Sequence, residues 1–216
     1  TSVGSVENIK EVAEIVKNEN DHKIVVLSAM SGVTNALQKI SDLLHKENTE
    51  EARSEMNSLN AKYEKVVRNL FDSESGIEKA GLIVKFHNEV LLELAYTELS
   101  EKVEKIILAQ GELVSTNLFQ LYMEEIGDPS NLISAFDFMT INKDHEPDND
   151  KIQKYLTKII SKYNKSVYFL LYKDNIVGLS GFLGSSNLSY SASASSMTLS
   201  SMSISKRNNM SFAIVL

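Results

Sequence analysis

The chain has 216 residues, 43% hydrophobic and 24% charged, with a formal net charge of −7, enough for one domain with an ordinary core, or one domain plus a fragment. Its Lys residues are scattered among Glu and Asp, which excludes a surface built to neutralise nucleic-acid phosphates or anionic lipid; the absence of Cys excludes disulfides, thiolate metal sites and Cys nucleophiles. No apolar run reaches the ~20 residues a membrane helix needs, and no basic-then-apolar leader opens the chain, so the sequence reads as a cytoplasmic protein with a small-molecule or protein partner, no nucleic acid and no membrane.

Val6, Ile9, Val12, Ala13 and Val16 recur at helical spacing behind Ser5, a candidate N-cap, with Glu7 in the first turn; the spacing predicts an amphipathic helix opening just after Gly4. Lys23 to Leu27 is a short β-branched apolar run between polar and small residues, the pattern of a buried parallel strand. A second helix is expected from about Thr34, with Leu37, Ile40, Leu43 and Leu44 on its apolar face. Two charged helices follow, roughly Thr49 to Phe71 and Ile77 to Leu99, with Leu59, Tyr63, Val66, Val67 and Leu70 on one stripe and Phe86, Val90 and Leu94 on the other. They read as a helical insertion without a catalytic cluster, and their mixed charge argues against membrane binding.

After Ile106-Ile107-Leu108 the sequence predicts a polar joint, Gln110-Gly111-Glu112, and a helix through Ile126, then a strand over Leu132 to Phe136. A helix is expected near Pro147-Asp148, since Pro is tolerated in a first turn, and strands over Val167 to Tyr172 and Ile176 to Leu179. Strands alternating with helices imply parallel crossovers, hence an α/β fold with a mostly parallel sheet and helices on both faces, with ligands at the loops leaving the carboxyl ends of the strands. From Ser180 to Ser205 Ser dominates with Ala and Met, a bias that favours solvated or irregular structure.

Three segments could carry chemistry. Thr1-Ser2-Val3-Gly4-Ser5 stands at a helix start, either a plain capped end or an anion site made by unpaired N–H groups and hydroxyls. Ser28-Ala29-Met30-Ser31-Gly32-Val33-Thr34-Asn35 links strand to helix through small residues that let backbone approach a phosphate or carboxylate, unless it is an ordinary turn with Thr34 as N-cap. Gln110-Gly111-Glu112 places a carboxylate at the expected helix start, serving the helix dipole or a substrate ammonium. The four histidines, His22, His45, His87 and His145, lie far apart among polar neighbours and read as surface residues, so no metal site is expected.

Thr-Ser-Val-Gly-Ser-Val-Glu-Asn-Ile at the start, Val-Val-Leu-Ser-Ala-Met-Ser-Gly-Val-Thr-Asn, Ala-Gln-Gly-Glu-Leu-Val-Ser-Thr and Ser134-Ala135-Phe136-Asp137-Phe138, in this order, resemble the aspartokinases of the amino-acid kinase family, most of all bacterial forms that also occur fused to homoserine dehydrogenase. The resemblance runs to about Lys165. It implies the three-layer α-β-α amino-acid kinase fold with a helical insertion at about 49–99, and ATP- and Mg2+-dependent phosphorylation of the L-aspartate side chain to 4-phospho-L-aspartate, in a homo-oligomer of the full-length protein. It matches Thr1 and Ser2 to the end of a Lys-Phe-Gly-Gly-Thr-Ser phosphate loop, whose Lys would precede Thr1. Ser28 and Gly32 match the second ATP/phosphate loop, Thr34 and Glu112 match residues that bind aspartate, and Gly111 matches a loop-shaping glycine. A kinase domain is therefore expected over 1–179, N-terminally truncated, with 180–216 a Ser-rich tail, disordered or not family-like: Gly181-Phe182-Leu183-Gly184 and Ser189-Tyr190-Ser191-Ala192-Ser193 only faintly echo the family's later motifs. The alternatives are an inactive fragment of that kinase and another amino-acid or nucleotide-monophosphate kinase of the same fold.

Overall fold

The structure is a computed structural model that describes residues 3–19, 22–144, 146–162, 167–171, 203–207 and 210–215. Helix dominates these residues, in the order α1 (Val6–Asn18), β1 (His22–Leu27), α2 (Val33–His45), α3 (Thr49–Leu70), α4 (Glu74–Leu94), α5 (Glu101–Glu125), β2 (Asn131–Ser134), a 3-10 turn (Ala135–Asp137), α6 (Asn149–Ile160), β3 (Val167–Leu171), β4 (Ser203–Arg207) and β5 (Met210–Val215). Thr1, Ser2, His145 and the expected strand Ile176 to Leu179 lie outside the described residues, as does 180–202 with its two motif echoes.

The strands form one sheet in the order β2-β3-β1-β5-β4. β1 lies at its centre, parallel to β3 (Val25 opposite Phe169) and to β5 (Val25 opposite Ala213); β2 is parallel to β3, and β4 runs antiparallel to β5. The last two strands come from the stretch set apart by its composition. There the Ser-rich bias gives way to Phe212-Ala213-Ile214-Val215, a run apolar enough to pair beside a buried strand.

A strand's side chains alternate between faces, and β1 shows what each face buries. Val25 and Leu27 join the larger core with α1 to α5, whereas Ile24 and Val26 join a smaller one with Ile133, Ala135, Phe138, Ile152 and Leu156. Helices therefore cover the sheet on both sides. α3 and α4 are not an appendage: Met56, Leu59, Tyr63, Val67, Ala80, Val84 and Leu91 belong to the same core as Leu37, Ile40, Val114 and Leu118.

Caps fix several boundaries. The Ser5 side chain accepts from the Asn8 N–H, Asn48 from Glu51, Ser73 from Gly76, Ser100 from Val103 and Asp148 from Lys151, each satisfying a donor that the first helical turn leaves unpaired. Pro147 consequently precedes the Asp148 cap instead of occupying the first turn of α6.

Four expectations are corrected. The buried stripe of α4 is Gly76, Ala80, Val84, His87 and Leu91, whereas Phe86 is 61% exposed; Phe86, Val90 and Leu94 sit one position out of register because His87 and two small residues carry the packing. His87 is thus not a surface residue but 8% exposed. Thr34 is not the cap of α2, since Gly32 holds the N-cap position without a side-chain bond. The expected joint at Gln110 to Glu112 is the middle of one unbroken helix, α5.

Candidate functional site

β1 delivers Ser28 at its carboxyl end. Ser28 is half-buried, and its hydroxyl donates to the Ala29 carbonyl at 3.2 Å. The chain then turns through Ser31 and Gly32, both exposed, and Gly32 takes φ +73°, a left-handed conformation that a side chain would oppose. This turn sets Val33 fully buried as the first residue of α2 and leaves Thr34 half-buried one residue on. The Val33 N–H donates to the Met30 carbonyl at 3.1 Å, and the remaining first-turn N–H groups and positive dipole end of α2 open beside Ser31 and Gly32.

α5 meets that turn with its middle. A methyl group on Gly111 would stand 2.9 Å from the Ala29 Cβ, 3.0 Å from a Val33 methyl and 3.1 Å from a Leu37 methyl, so the lack of a side chain lets α5 lie against the β1–α2 junction. Gly111 shapes the site by close helix packing, not as the loop glycine the sequence suggested. Glu112 follows it and is 5% exposed.

Within this unbroken helix polar side chains find partners on the helix's own carbonyls: Gln110 Nε2 donates to Ile106 at 2.9 Å, Thr116 Oγ1 to Glu112 at 2.7 Å and Asn117 Nδ2 to Leu113 at 2.8 Å. Glu112 is eleven residues beyond Glu101, the first of α5, and the macrodipole acts only within the first turn. Its reading as a dipole partner at a helix start is overturned.

Three residues missed in the sequence surround this junction. Lys62 of α3 donates from Nζ to the Ser31 carbonyl, and a methyl group on Gly32 would stand 3.5 Å from that ammonium. Tyr63, the next residue, is buried, and burial together with the Glu112 carboxylate pushes its phenol well above the usual value. His87 Nδ1 lies 2.6 Å from Gln110 Oε1, fastening α4 to the residue before Gly111; burial holds its imidazole below the ordinary value, partly opposed by the bond to Gln110. The register of α3, with Tyr63 at a buried helical position, was the available signal. It puts residue 62 at the edge of the packed stripe, but periodicity does not reveal which loop lies there.

The structure thus brings Ser28, Gly32, Thr34 and Glu112 to one end of β1. No group of three His, Asp or Glu side chains poised for a metal ion occurs among the described residues, and no helix among them is long and apolar enough to cross a membrane.

No family model matches the chain. A bifunctional aspartokinase/homoserine dehydrogenase 2 of Arabidopsis thaliana is 27% identical over 197 residues, 86% of this chain and 20% of its own length. The corresponding bifunctional protein of Daucus carota is 29% identical over 173 residues, covering 74% and 18%, and aspartokinase 2 of Arabidopsis thaliana is 28% identical over 156 residues, covering 67% and 27%. Among solved structures, E. coli aspartokinase III in complex with aspartate and ADP superposes with a TM-score of 0.58 at 21% identity, over 79% of this chain and 38% of that one.

The chain resembles the aspartokinases. A Clostridium acetobutylicum aspartate kinase gives a TM-score of 0.59 at 14% identity over 77% of this chain and 36% of its own, so the described fold is that of aspartokinases, the amino-acid kinase fold. The aspartokinase-like chain spans about a fifth of the first relatives' length. Those relatives are named chloroplastic plant proteins, whereas the sequence alone reads as cytoplasmic.

Proposed function

We propose that this chain forms part of an aspartate kinase that transfers the terminal phosphoryl group of ATP to the side-chain carboxylate of L-aspartate. The observation that carries the reading is the packing of Gly111 onto Ala29 and Val33, which seats a buried carboxylate, Glu112, beside a Ser- and Gly-built turn at the carboxyl end of a central parallel strand. Such a turn suits an anion, and the carboxylate suits an ammonium. The E. coli relative's complex contains aspartate and ADP, ligands with those chemistries.

In this reading Ser28, with the backbone of Ser31 and Gly32, faces the phosphates. Thr34 and Glu112 hold aspartate, Glu112 accepting hydrogen bonds from its ammonium group. Thr1 and Ser2 belong to a further phosphate loop whose Lys would precede them. Gly32, whose conformation leaves the turn open, fits a phosphate, and Mg2+ enters bound to the nucleotide's own oxygens. Phosphoryl transfer to a carboxylate needs positioning and charge neutralisation more than a base, because the attacking oxygen is already anionic; a site without a catalytic His is consistent with this. The three-layer domain over 1–179, completed in its sheet by β4 and β5 from the 180–216 stretch, assembly into a homo-oligomer and fusion to a homoserine dehydrogenase are part of the same proposal.

The test is coupled ADP release by the full-length protein with aspartate, glutamate or UMP as acceptor. Turnover with aspartate above both others is the expected result; release with UMP alone would move the reading to a nucleotide-monophosphate kinase, and none with any acceptor to a fragment that keeps the fold without the activity.

A further inference from the structure

We propose that Lys62, on a helix outside every motif of the resemblance, is a phosphate-binding residue of this site, its ammonium neutralising the nucleotide phosphates held on the Ser28–Gly32 turn. The proposal deepens the kinase reading and rests on it.

Lys62 leaves α3 at the edge of its buried stripe, beside Tyr63, and is itself solvent-exposed. Its Nζ reaches 31 residues back along the sequence to the Ser31 carbonyl. One carbonyl engages one of the three N–H groups of an ammonium, leaving two for another acceptor. The bond to Ser31 holds that ammonium beside Gly32, the residue that turns the chain into α2. The Val33 N–H is taken by the Met30 carbonyl at 3.1 Å, but an anion received by the N–H groups of Gly32, Thr34 and Asn35 would meet a cation at its rim.

A second feature of α3 points to the same junction. The buried Tyr63 hydroxyl has no hydrogen-bond partner and stands close enough to Glu112 for the carboxylate to act on it. A buried hydroxyl left unpaired is destabilising, so α3 brings to this junction both a loop-bound cation and an unpartnered donor. A helix that merely filled space would carry neither there. In a chain of net charge −7, drawing a polyanionic nucleotide and an acidic amino acid together needs local positive charge, and Lys62 is a described cation placed at the turn.

The experiment compares full-length wild type, Lys62→Met and Lys62→Arg by coupled ADP release at saturating aspartate with ATP varied, alongside thermal melting. Loss of one charge-assisted contact predicts a KM for ATP raised about tenfold or more in Lys62→Met, most of it restored in Lys62→Arg, with melting unchanged in both and the KM for aspartate moving less. An unchanged KM for ATP in Lys62→Met overturns the proposal. So does an equal rise in both variants with a fall in melting temperature, which is the mark of a turn that has lost only its clamp. If wild type releases no ADP with aspartate, the kinase reading has failed on its own, and calorimetric titration of the three proteins with ATP decides on Lys62. An affinity that follows the positive charge upholds it; equal affinities, or no binding, overturn it.

Discussion

The two faces of the sheet are built unequally. On one, Val25 and Leu27 sit under five helices whose side chains merge into a single large core; on the other, Ile24 and Val26 meet α6 and the 3-10 turn through five further buried side chains. The thick face supplies Glu112 from the interior of α5 and Lys62 from α3, and bonds such as His87 of α4 to Gln110 and Gln38 Nε2 of α2 to Glu104 at 3.4 Å tie α5 to its neighbours. Placing a charged group in a binding site requires an element that cannot shift, and a helix locked on several sides provides one. In the proposed kinase reading the thick face serves as the mould of the site, and the thin face completes the sheet's burial.

Core truncations test that division most severely. Leu37 is fully buried against Gly111, and Leu37→Ala should cost about 2–5 kcal/mol in urea unfolding and also depress turnover. Leu156→Ala on the thin face should fall at the low end of that range, near 2 kcal/mol, and leave the KM for aspartate unchanged. Equal losses of activity would erase the distinction between the faces. Gly111→Ala comes next: overpacking by about 1–3 kcal/mol outweighs the gain of about 1 kcal/mol from replacing a mid-helix glycine, because Ala29 and Val33 offer backbone-near atoms that cannot swing aside. A more stable Gly111→Ala protein would show that α5 does not press on the turn.

A smaller effect lies at the cap of α1. Ser5→Ala should cost about 1 kcal/mol in urea unfolding by leaving the Asn8 N–H unpaired. The His87 contribution appears only with acid. Burial lowers its pKa in the folded state from the ordinary 6.5, so above that pH the His87 imidazole is neutral in both the folded and the unfolded chain and the stability is fully present. As pH falls through the window between 6.5 and the lowered folded value, the unfolded chain binds the proton first and stability is lost. Urea midpoints measured across that window should fall in wild type and stay flatter in His87→Gln.

Much of this arrangement was legible in the sequence, for reasons that differ by element. The Ile9-Val12-Ala13-Val16 stripe and the β-branched Ile24-Val25-Val26 run mark α1 and β1 because periodicity and burial agree there. Ser28 and Gly32 could be chosen because a turn of small residues after such a strand is a recognisable place for a ligand. The middle of α5 was misread: Gly111 between polar Gln110 and Glu112 looks like a break, and only the close packing of Gly111 on Ala29, Val33 and Leu37 shows what the glycine is for. The stripe of α4 was misplaced since Phe86 outranks His87 in hydrophobicity, while the buried bond to Gln110 that reverses their order is 23 residues away in sequence. Lys62 was invisible for the same reason, its partner being a backbone carbonyl on another element.

The most direct test of the thick face as the mould of an aspartate site is the kinetics of Glu112→Gln in the full-length protein, a near-isosteric change that removes the charge. Replacing a charge-assisted hydrogen bond of about 1.5–3 kcal/mol with a neutral one of about 0.5–1.5 kcal/mol predicts a KM for aspartate raised about 5- to 10-fold with the KM for ATP nearly unchanged. An unaltered KM for aspartate, or an equal rise for both substrates, would contradict the account.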